Sequence, residues 1–219
     1  MDFRWSLVWD SVPTLLDGLV TALIATAFGY VIALVLGLVF ALLRRSDSAW
    51  IRWPIGFLIE FIRSTPLLVQ LFFFFYVLPL IGISVSPLLT GAFALGLHYA
   101  TYTSEVYRSG IDNVPVGQWE AATALNLSTR RTWTSVILPQ AIPRVIPALG
   151  NYVIAMFKDT PQLAAITVLE MLGLAMSIGS DTFRYAEPIT AMGLFYLIVA
   201  LVMAWGARIV ERKFGTVRA

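Results

Sequence analysis

The chain has 219 residues, of which 58% are hydrophobic and 13% charged, and its mean hydropathy is +0.80. Soluble domains are about 45–50% apolar, so this composition predicts an integral membrane protein. The absence of cysteine excludes disulfides and thiolate zinc sites, the single histidine argues against a metal cage, and a net charge of +2 is too small to indicate nucleic acid. We therefore expect no metal, no cofactor bound by this chain and no nucleic-acid partner.

Uncharged runs predict where the chain crosses the membrane. Residues 18–43 and 188–207 carry no charge, and each run is long enough to cross a hydrocarbon core of about 30 Å as a helix. Residues 64–104 are also uncharged, but Pro79, Gly82 and Pro87 divide them into two spans. The pattern predicts an all-α domain over residues 1–219 with five transmembrane helices, near 15–43, 54–80, 87–107, 134–157 and 187–208.

The distribution of basic residues predicts the orientation. By the positive-inside rule, connectors rich in arginine and lysine are cytoplasmic. Three such clusters occur: Arg44, Arg45 and Arg52, then Arg108, Arg130 and Arg131, then Arg208, Arg212, Lys213 and Arg218. We expect the N-terminus outside and the C-terminus in the cytoplasm. The first span lacks a basic leader and a cleavage site, so we expect it to be retained.

The apolar segment 161–180 does not fit a sixth span, because a further crossing would put the C-terminus on the wrong side. It contains Glu170 and several glycines, so a short or re-entrant helix covered by protein or by a water-filled cavity is expected. Thr160 and Pro161 predict where this helix begins, since threonine can cap a helix and proline suits the first helical position.

A spaced motif lies between the third and fourth predicted spans, with the sequence QWEAATALN at residues 118–126 and VILP at residues 136–139. It resembles the cytoplasmic motif of ABC-importer permeases, which is Glu-Ala-Ala, three residues, Gly, nine residues, Ile, one residue and Leu-Pro. Asn126 replaces the glycine and Val136 the isoleucine. Asparagine is the usual non-glycine residue at a left-handed helix terminus, so we expect the turn to be kept.

This resemblance implies that a segment of about residues 110–132 contains a short helix that docks onto a separate ATPase. Glu120 is expected to anchor the helix, and Ala121 and Ala122 to allow close approach. The candidate coupling residues are Gly117, Gln118, Glu120, Ala121, Ala122, Leu125 and Asn126. The alternative is a surface helix with no special role.

Further stretches extend the resemblance over nearly the whole chain. Residues 18–21, 63–71 and 158–161 resemble the polar-amino-acid permeases, the histidine, glutamine and arginine type. Residues 96–105 and 124–128 most resemble the ectoine and hydroxyectoine permease subunit. The chain is thus identified as a member of the ABC-importer permeases, which implies the type I importer permease fold and a location in the bacterial inner membrane. The expected solute is ectoine or hydroxyectoine, with a polar amino acid such as glutamine, arginine or histidine as the alternative.

The family also implies partners: two ATP-binding subunits that use ATP and magnesium, a second permease subunit that is a related chain or a copy of this one, and an extracytoplasmic solute-binding protein. The only lysines are Lys158 and Lys213, and neither follows a glycine, so no P-loop is present. We expect a transport subunit, not an enzyme, because an intramembrane nucleophile or metal cluster is missing. Hydropathy alone leaves open a channel or a secondary transporter, which would have no use for an ATPase-docking helix.

Polar residues at membrane depth are candidates for the solute pathway. His98, Thr101, Tyr102 and Glu105 have helical spacing and share a face, which either lines the pathway or forms a polar seam between helices. For Glu105, a salt bridge with Arg108 is expected, and Glu60 and Arg63 are expected to pair within one helix.

The second group of candidates is Lys158, Asp159 and Thr160, just before the broken segment. A helix that begins at Pro161 would direct free N–H groups at a solute carboxylate, while Asp159, Glu170 or a tyrosine would face its cationic end. The alternative is that Asp159 caps this helix and Lys158 is a gate.

Overall fold

The computed structural model describes residues 2–214, within which the regular secondary structure is helical and no strand occurs. The helices in chain order are α1 (Trp5–Arg44), α2 (Ala49–Ser64), α3 (Leu67–Phe72), α4 (Pro87–Asp112), α5 (Val116–Ala124), α6 (Thr129–Thr132), α7 (Leu138–Asp159), α8 (Met171–Thr182) and α9 (Ala186–Phe214). Two π-helical turns, Phe73–Val77 and Trp133–Ile137, and two 3-10 turns, Leu78–Ile81 and Thr160–Ile166, join some of them. The predicted all-α fold is confirmed. Arg218 lies outside the described residues.

Helix α4 is the centre of the bundle, packed by α1, α2, α3 and α7. Its closest neighbour is α1, and small residues let the two backbones approach: a Cβ added to Gly96 would lie 2.8 Å from the carbonyl oxygen of Gly29. The hydroxyl of Thr103 donates to the carbonyl of Ala33 across this contact, at 2.8 Å. The polar residues Thr101, Thr103 and Ser104 in the middle of α4 are therefore buried.

Two helices, α1 and α9, are each long and apolar enough to cross a membrane, and counting each of two bent helix pairs as one span gives four candidates within residues 2–214. Helix α4, the predicted third span, has 26 residues, but it is too polar to be a candidate span by hydropathy. Its polarity fits its position inside the bundle. The five-span topology and its orientation stay a prediction.

The predicted second span, 54–80, is not one helix, and this prediction is wrong in its geometry. Helix α2 ends at Ser64, and the segment Leu67–Ile81 departs from it at 103°. Proline disfavours helical conformation in the residue before it, and Thr65, which precedes Pro66, is extended. The side-chain amide of Gln70 donates to the carbonyls of Ile62, at 2.7 Å, and Thr65, at 3.0 Å, so it replaces hydrogen bonds that the break removes.

The expected helix start at Pro161 is also wrong. Helix α7 continues without interruption into the 3-10 turn that ends at Ile166, and the Thr160 hydroxyl donates back to the carbonyl of Phe157, at 2.8 Å, instead of capping a helix. The helix ends at Thr167, whose φ is 67°, and α8 departs from it at 48°. The helix of the predicted short segment is α8, with 12 residues, or about 18 Å, which is too short to cross a bilayer alone.

Glu170 fixes the beginning of α8. Its buried carboxylate accepts hydrogen bonds from the backbone N–H groups of Leu172 and Gly173, each at 2.9 Å, and from the Tyr196 hydroxyl of α9, also at 2.9 Å. The Tyr196 hydroxyl lies 2.8 Å from the hydroxyl of Thr160. One carboxylate therefore joins α8, α9 and the 3-10 turn.

Helix α1 closes over this cap at Gly18. A Cβ at this position would lie 2.7 Å from the backbone nitrogen of Met171 and 2.9 Å from the carbonyl carbon of Glu170. Backbone atoms cannot move aside as a flexible side chain would, so a residue without a side chain is required there.

We expect Gly18→Ala to destabilise the protein by about 1–3 kcal/mol, because overpacking forces the backbone apart. The matched control is Gly193→Ala in α9, where an added Cβ meets nothing within 4 Å. The measurement is the thermal denaturation midpoint in detergent, which should fall for Gly18→Ala and not for the control. Equal midpoints would contradict the close packing of α1 on the α8 cap.

Candidate functional site

Helix α5 carries most of the predicted coupling residues and lies on the surface at the end of α4. Alanine and glutamate favour its helical conformation, and Trp119 packs edge-on against Trp133, with ring centroids 5.3 Å apart. Gln118 accepts a hydrogen bond from Gln140 of α7, at 3.1 Å. These contacts hold one face of α5 to the start of α7.

The opposite face of α5 is free of the chain's own core. On this face Gly117, Glu120 and Ala121 are exposed, and Leu125 just beyond the helix is 72% exposed. Gln118, on the side that bonds to α7, is exposed as well. Ala122 differs, because it is buried, at 2% exposure, against the chain's own helices. Its small side chain therefore lets α5 lie close to its own bundle, and the expectation that Ala122 approaches a partner is corrected.

Asn126 ends α5 in the left-handed conformation, with φ at 51°, as predicted. The N–H of Leu127 bonds to the carbonyl of Ala122, at 3.0 Å, and the N–H of Asn126 bonds to that of Thr123, at 2.9 Å. This is the Schellman arrangement, which satisfies carbonyls at a helix end. Asparagine thus performs the structural role that glycine has in the motif.

Ion pairs bind the end of α4 to neighbouring elements. The predicted salt bridge between Glu105 and Arg108 is present, and Glu105 also lies 3.5 Å from Arg44 at the end of α1. Asp112 pairs with both Arg45 and Arg108. The ends of α1 and α4, both of which the charge pattern assigns to the cytoplasm, thus meet at one end of the bundle.

A polar cleft of about 310 Å³ opens between α2, α4 and α7 near this end. Its lining includes two guanidinium groups, one carboxylate and two aromatic rings, from Arg63, Arg144, Glu105, Tyr102 and Tyr152. The rings of Tyr102 and Tyr152 are 5.6 Å apart. Cations, an anion and aromatic faces therefore converge on one space that a small molecule can fill.

The four residues predicted to share a face of α4 do not share one environment. Tyr102 and Glu105 line the cleft. Thr101 is fully buried and donates to the carbonyl of His98, at 2.6 Å. His98 is also buried, with its Nδ1 atom 3.1 Å from the side-chain nitrogen of Gln70. His98 and Thr101 thus belong to a polar seam between helices, which was the alternative interpretation.

The second group of predicted pathway residues, Lys158 to Thr160, is also divided between different environments. Asp159 accepts a hydrogen bond from the Tyr99 hydroxyl, at 2.6 Å, and the Tyr99 ring lies 6.1 Å from that of Tyr152 in the cleft wall. Asp159 makes no capping hydrogen bond. Thr160 is buried against Tyr196, and Lys158 is exposed. The N–H groups expected at Pro161 are not a free helix terminus, so a carboxylate site there is not formed.

Three lining residues were missed or misread from the sequence. Arg63 was interpreted only as the partner of Glu60; that pair is present, yet Arg63 also lines the cleft. Arg144 lies within the predicted fourth span, and a charge at such a position is itself a signal of function. Tyr152 carried no such signal, because a tyrosine in a span is most often packing.

Comparison with known proteins places the chain in a family. Residues 33–216 match the binding-protein-dependent transport system inner membrane components, so the chain belongs to that family, and the expected family of importer permeases is confirmed. A probable amino-acid ABC transporter permease of Sinorhizobium fredii is 54% identical over 200 residues, covering 91% of this chain and 87% of that protein.

Two further comparisons agree with this family. The glutamine transport system permease of Escherichia coli (strain K12) is 33% identical over 216 residues, covering 97% of this chain and 98% of the relative. A crystal structure of an amino acid ABC transporter with histidines superposes with a TM-score of 0.92 at 32% identity, covering 97% of this chain and 100% of that one. The predicted ABC permease fold is thereby confirmed.

We expect Asn126→Gly to leave the protein's stability and its turn unchanged, because glycine adopts a positive φ without strain. Asn126→Val should lower stability by about 1–2 kcal/mol, since a β-branched residue is strained in this conformation. Thermal denaturation in detergent measures both variants. A valine variant as stable as the glycine variant would contradict a left-handed turn at this position.

Proposed function

We propose that this chain is the permease subunit of an ABC importer for a small, polar, amino-acid-like solute. The observation that carries the proposal is the cleft in which Arg63 and Arg144 face Glu105 and two tyrosine rings. Similar proteins support the solute class: relatives include the glutamine permease of Escherichia coli and an L-cystine transport permease of Bacillus subtilis, the latter 34% identical over 211 residues.

The cleft provides complementary groups for both charges of a zwitterion. A guanidinium group matches a carboxylate in shape and charge and binds it through two hydrogen bonds. The cationic end of the solute would meet Glu105 and the faces of Tyr102 and Tyr152. Beyond Tyr152, the hydrogen-bonded pair Tyr99–Asp159 continues the polar surface toward the middle of the bundle, which makes Asp159 part of the proposed pathway.

Within this class we propose ectoine or hydroxyectoine as the solute. The support is the resemblance of residues 96–105 and 124–128 to the ectoine permeases, a stretch that includes the cleft residues Tyr102 and Glu105. Ectoine is a zwitterion whose positive charge is spread over a flat amidine, and such a cation stacks well on an aromatic face. A common polar amino acid is the alternative that the uptake experiment below decides.

The proposed mechanism is alternating access driven by ATP in two partner subunits, with the exposed face of α5 as their docking site. Closure of the ATPases would displace α5, and its contacts through Gln118 and Trp119 would pass the movement to α7. A solute-binding protein would deliver the solute from outside, and a second permease subunit, related or identical, would complete the pathway. The carboxylate of Glu120 is exposed on α5, where a partner chain can reach it.

Glu120→Lys tests the docking site. The reversed charge should abolish uptake and solute-stimulated ATP hydrolysis in reconstituted vesicles, while insertion and thermal stability stay unchanged, because Glu120 is exposed. Glu211→Lys, the same charge reversal at an exposed residue near the end of α9, is the matched control and should retain coupling. Normal coupling in Glu120→Lys would remove the proposed role of α5.

The cleft is tested at Tyr102 by two substitutions. Tyr102→Phe keeps the aromatic face and should transport at close to the wild-type rate, whereas Tyr102→Leu removes it. A cation–aromatic contact contributes about 0.5–2 kcal/mol, so we expect the uptake rate with saturating, solute-loaded binding protein to fall roughly 2- to 30-fold in the leucine variant. Equal rates in both variants would place the solute elsewhere.

Uptake competition identifies the solute. Ectoine, hydroxyectoine, glutamine, arginine and histidine are offered in excess against one labelled solute in vesicles that contain the whole importer. We expect ectoine and hydroxyectoine to compete best. A preference for glutamine, arginine or histidine would overturn the ectoine proposal and leave the importer itself in place.

A further inference from the structure

A separate cavity lies where α1 ends and α2 begins. Its volume is about 470 Å³, and it is lined by Arg44, Arg52, Trp53, Gly56, Phe57 and Glu60. On α2, residues 52, 56 and 60 are four positions apart and so follow one another along a single face. Arg44 reaches over from α1 to the level of Gly56, where an added Cβ would lie 3.6 Å from the guanidinium carbon. Because Gly56 has no side chain, the cavity stays open between Arg44 and α2.

The end of this cavity that is lined by Arg44 and Arg52 is positively charged. Arg52 donates one hydrogen bond, to the carbonyl of Ser46 at 3.3 Å, and among residues 2–214 no carboxylate lies within salt-bridge distance of it. Arg44 lies 3.5 Å from Glu105. Glu60, at the other end of the cavity, is exposed and paired with Arg63, and it is about 12 Å from Arg52 along the helix. The cavity is therefore cationic at its Arg52 end and charge-paired at its Glu60 end.

The neighbouring face of α2 suits a lipid. Trp50 is 91% exposed, and Trp53 and Phe57 are each 74% exposed. Phe61 continues this face one turn further along the helix, with its ring stacked 6.3 Å from that of Phe57. Tryptophan favours the headgroup level of a bilayer, and phenylalanine favours the hydrocarbon. The order of aromatic residues along α2 thus matches the order of a lipid, with tryptophans at the level of the headgroup and phenylalanines at the level of the acyl chains.

We propose that this cavity binds the headgroup of an anionic phospholipid in the cytoplasmic leaflet. The phosphate lies between Arg44 and Arg52, where guanidinium groups donate to its oxygens, and the glycerol and first acyl methylenes lie over Gly56 and Phe57. A cavity of this volume exceeds what a bare phosphate fills. Basic pockets between helices on the cytoplasmic side are suited to such headgroups, and the positive-inside pattern assigns Arg44, Arg45 and Arg52 to that side.

The test is native mass spectrometry of the purified full-length chain with phosphatidylglycerol or with phosphatidylcholine. Arg52→Gln removes a charge, and Gly56→Leu fills the cavity without changing charge. Arg212→Gln, near the exposed end of α9, is the control for loss of one basic residue on the same side. We expect preferential retention of phosphatidylglycerol, an affinity lower by about fivefold or more in the first two variants, and no change in the control.

Several results would overturn the proposal. These are equal retention of phosphatidylcholine, an Arg52→Gln variant that behaves like Arg212→Gln, or displacement of the lipid by millimolar inorganic phosphate, which would indicate a site for a free anion. If Arg52→Gln fails to fold, as shown by its helical circular dichroism, Gly56→Leu remains the deciding variant, and normal lipid retention in it would reject the site.

Discussion

A backbone that leaves the helical hydrogen-bond pattern inside a membrane must find other partners, because no water is available there. In its apolar segments this chain breaks its helices after Ser64 and after Ile166. At each break one polar side chain provides the missing bonds: Gln70 donates to carbonyls released at the end of α2, and Glu170 accepts from the first N–H groups of α8. The bends that shape the bundle therefore depend on two side chains.

The arrangement around α4 follows from a related constraint. A helix with this many polar groups is costly against lipid, and α1 covers it along a close contact made by small residues. Helix α1 in turn presents its large aliphatic side chains outward. The apolar outer helix α1 thus shields the polar inner helix α4.

The features that could be predicted from the sequence are those set within a few residues. The apolar runs of α1 and α9, the left-handed turn at Asn126 and the pair Glu105–Arg108 all follow from local spacing, and the structure contains each of them. The motif that names the family is also local, because it depends on residues 118–139.

The features that could not be predicted depend on contacts between distant residues. The hydrogen bond from Tyr99 to Asp159 joins residues 60 positions apart, and the cleft gathers Arg63, Tyr102 and Arg144 from three helices. The start of α8 at Glu170 could not be predicted for a different reason, which is that the sequence offers a more typical start ten residues earlier. Thr160 and Pro161 form a typical helix start, but the preceding helix passes through them as a 3-10 turn, and the Thr160 hydroxyl bonds backward to Phe157.

The hydrogen bond from Arg144 to the carbonyl of Asn113 joins two regions that otherwise have separate roles. Arg144 lines the cleft, while Asn113 directly follows the last residue of α4 and lies three positions before α5 begins. The guanidinium group therefore ties the wall of the cleft to the segment that leads into α5. In the proposed function, the position of α5 and the charge available in the cleft are therefore linked, and a change in either one biases the other.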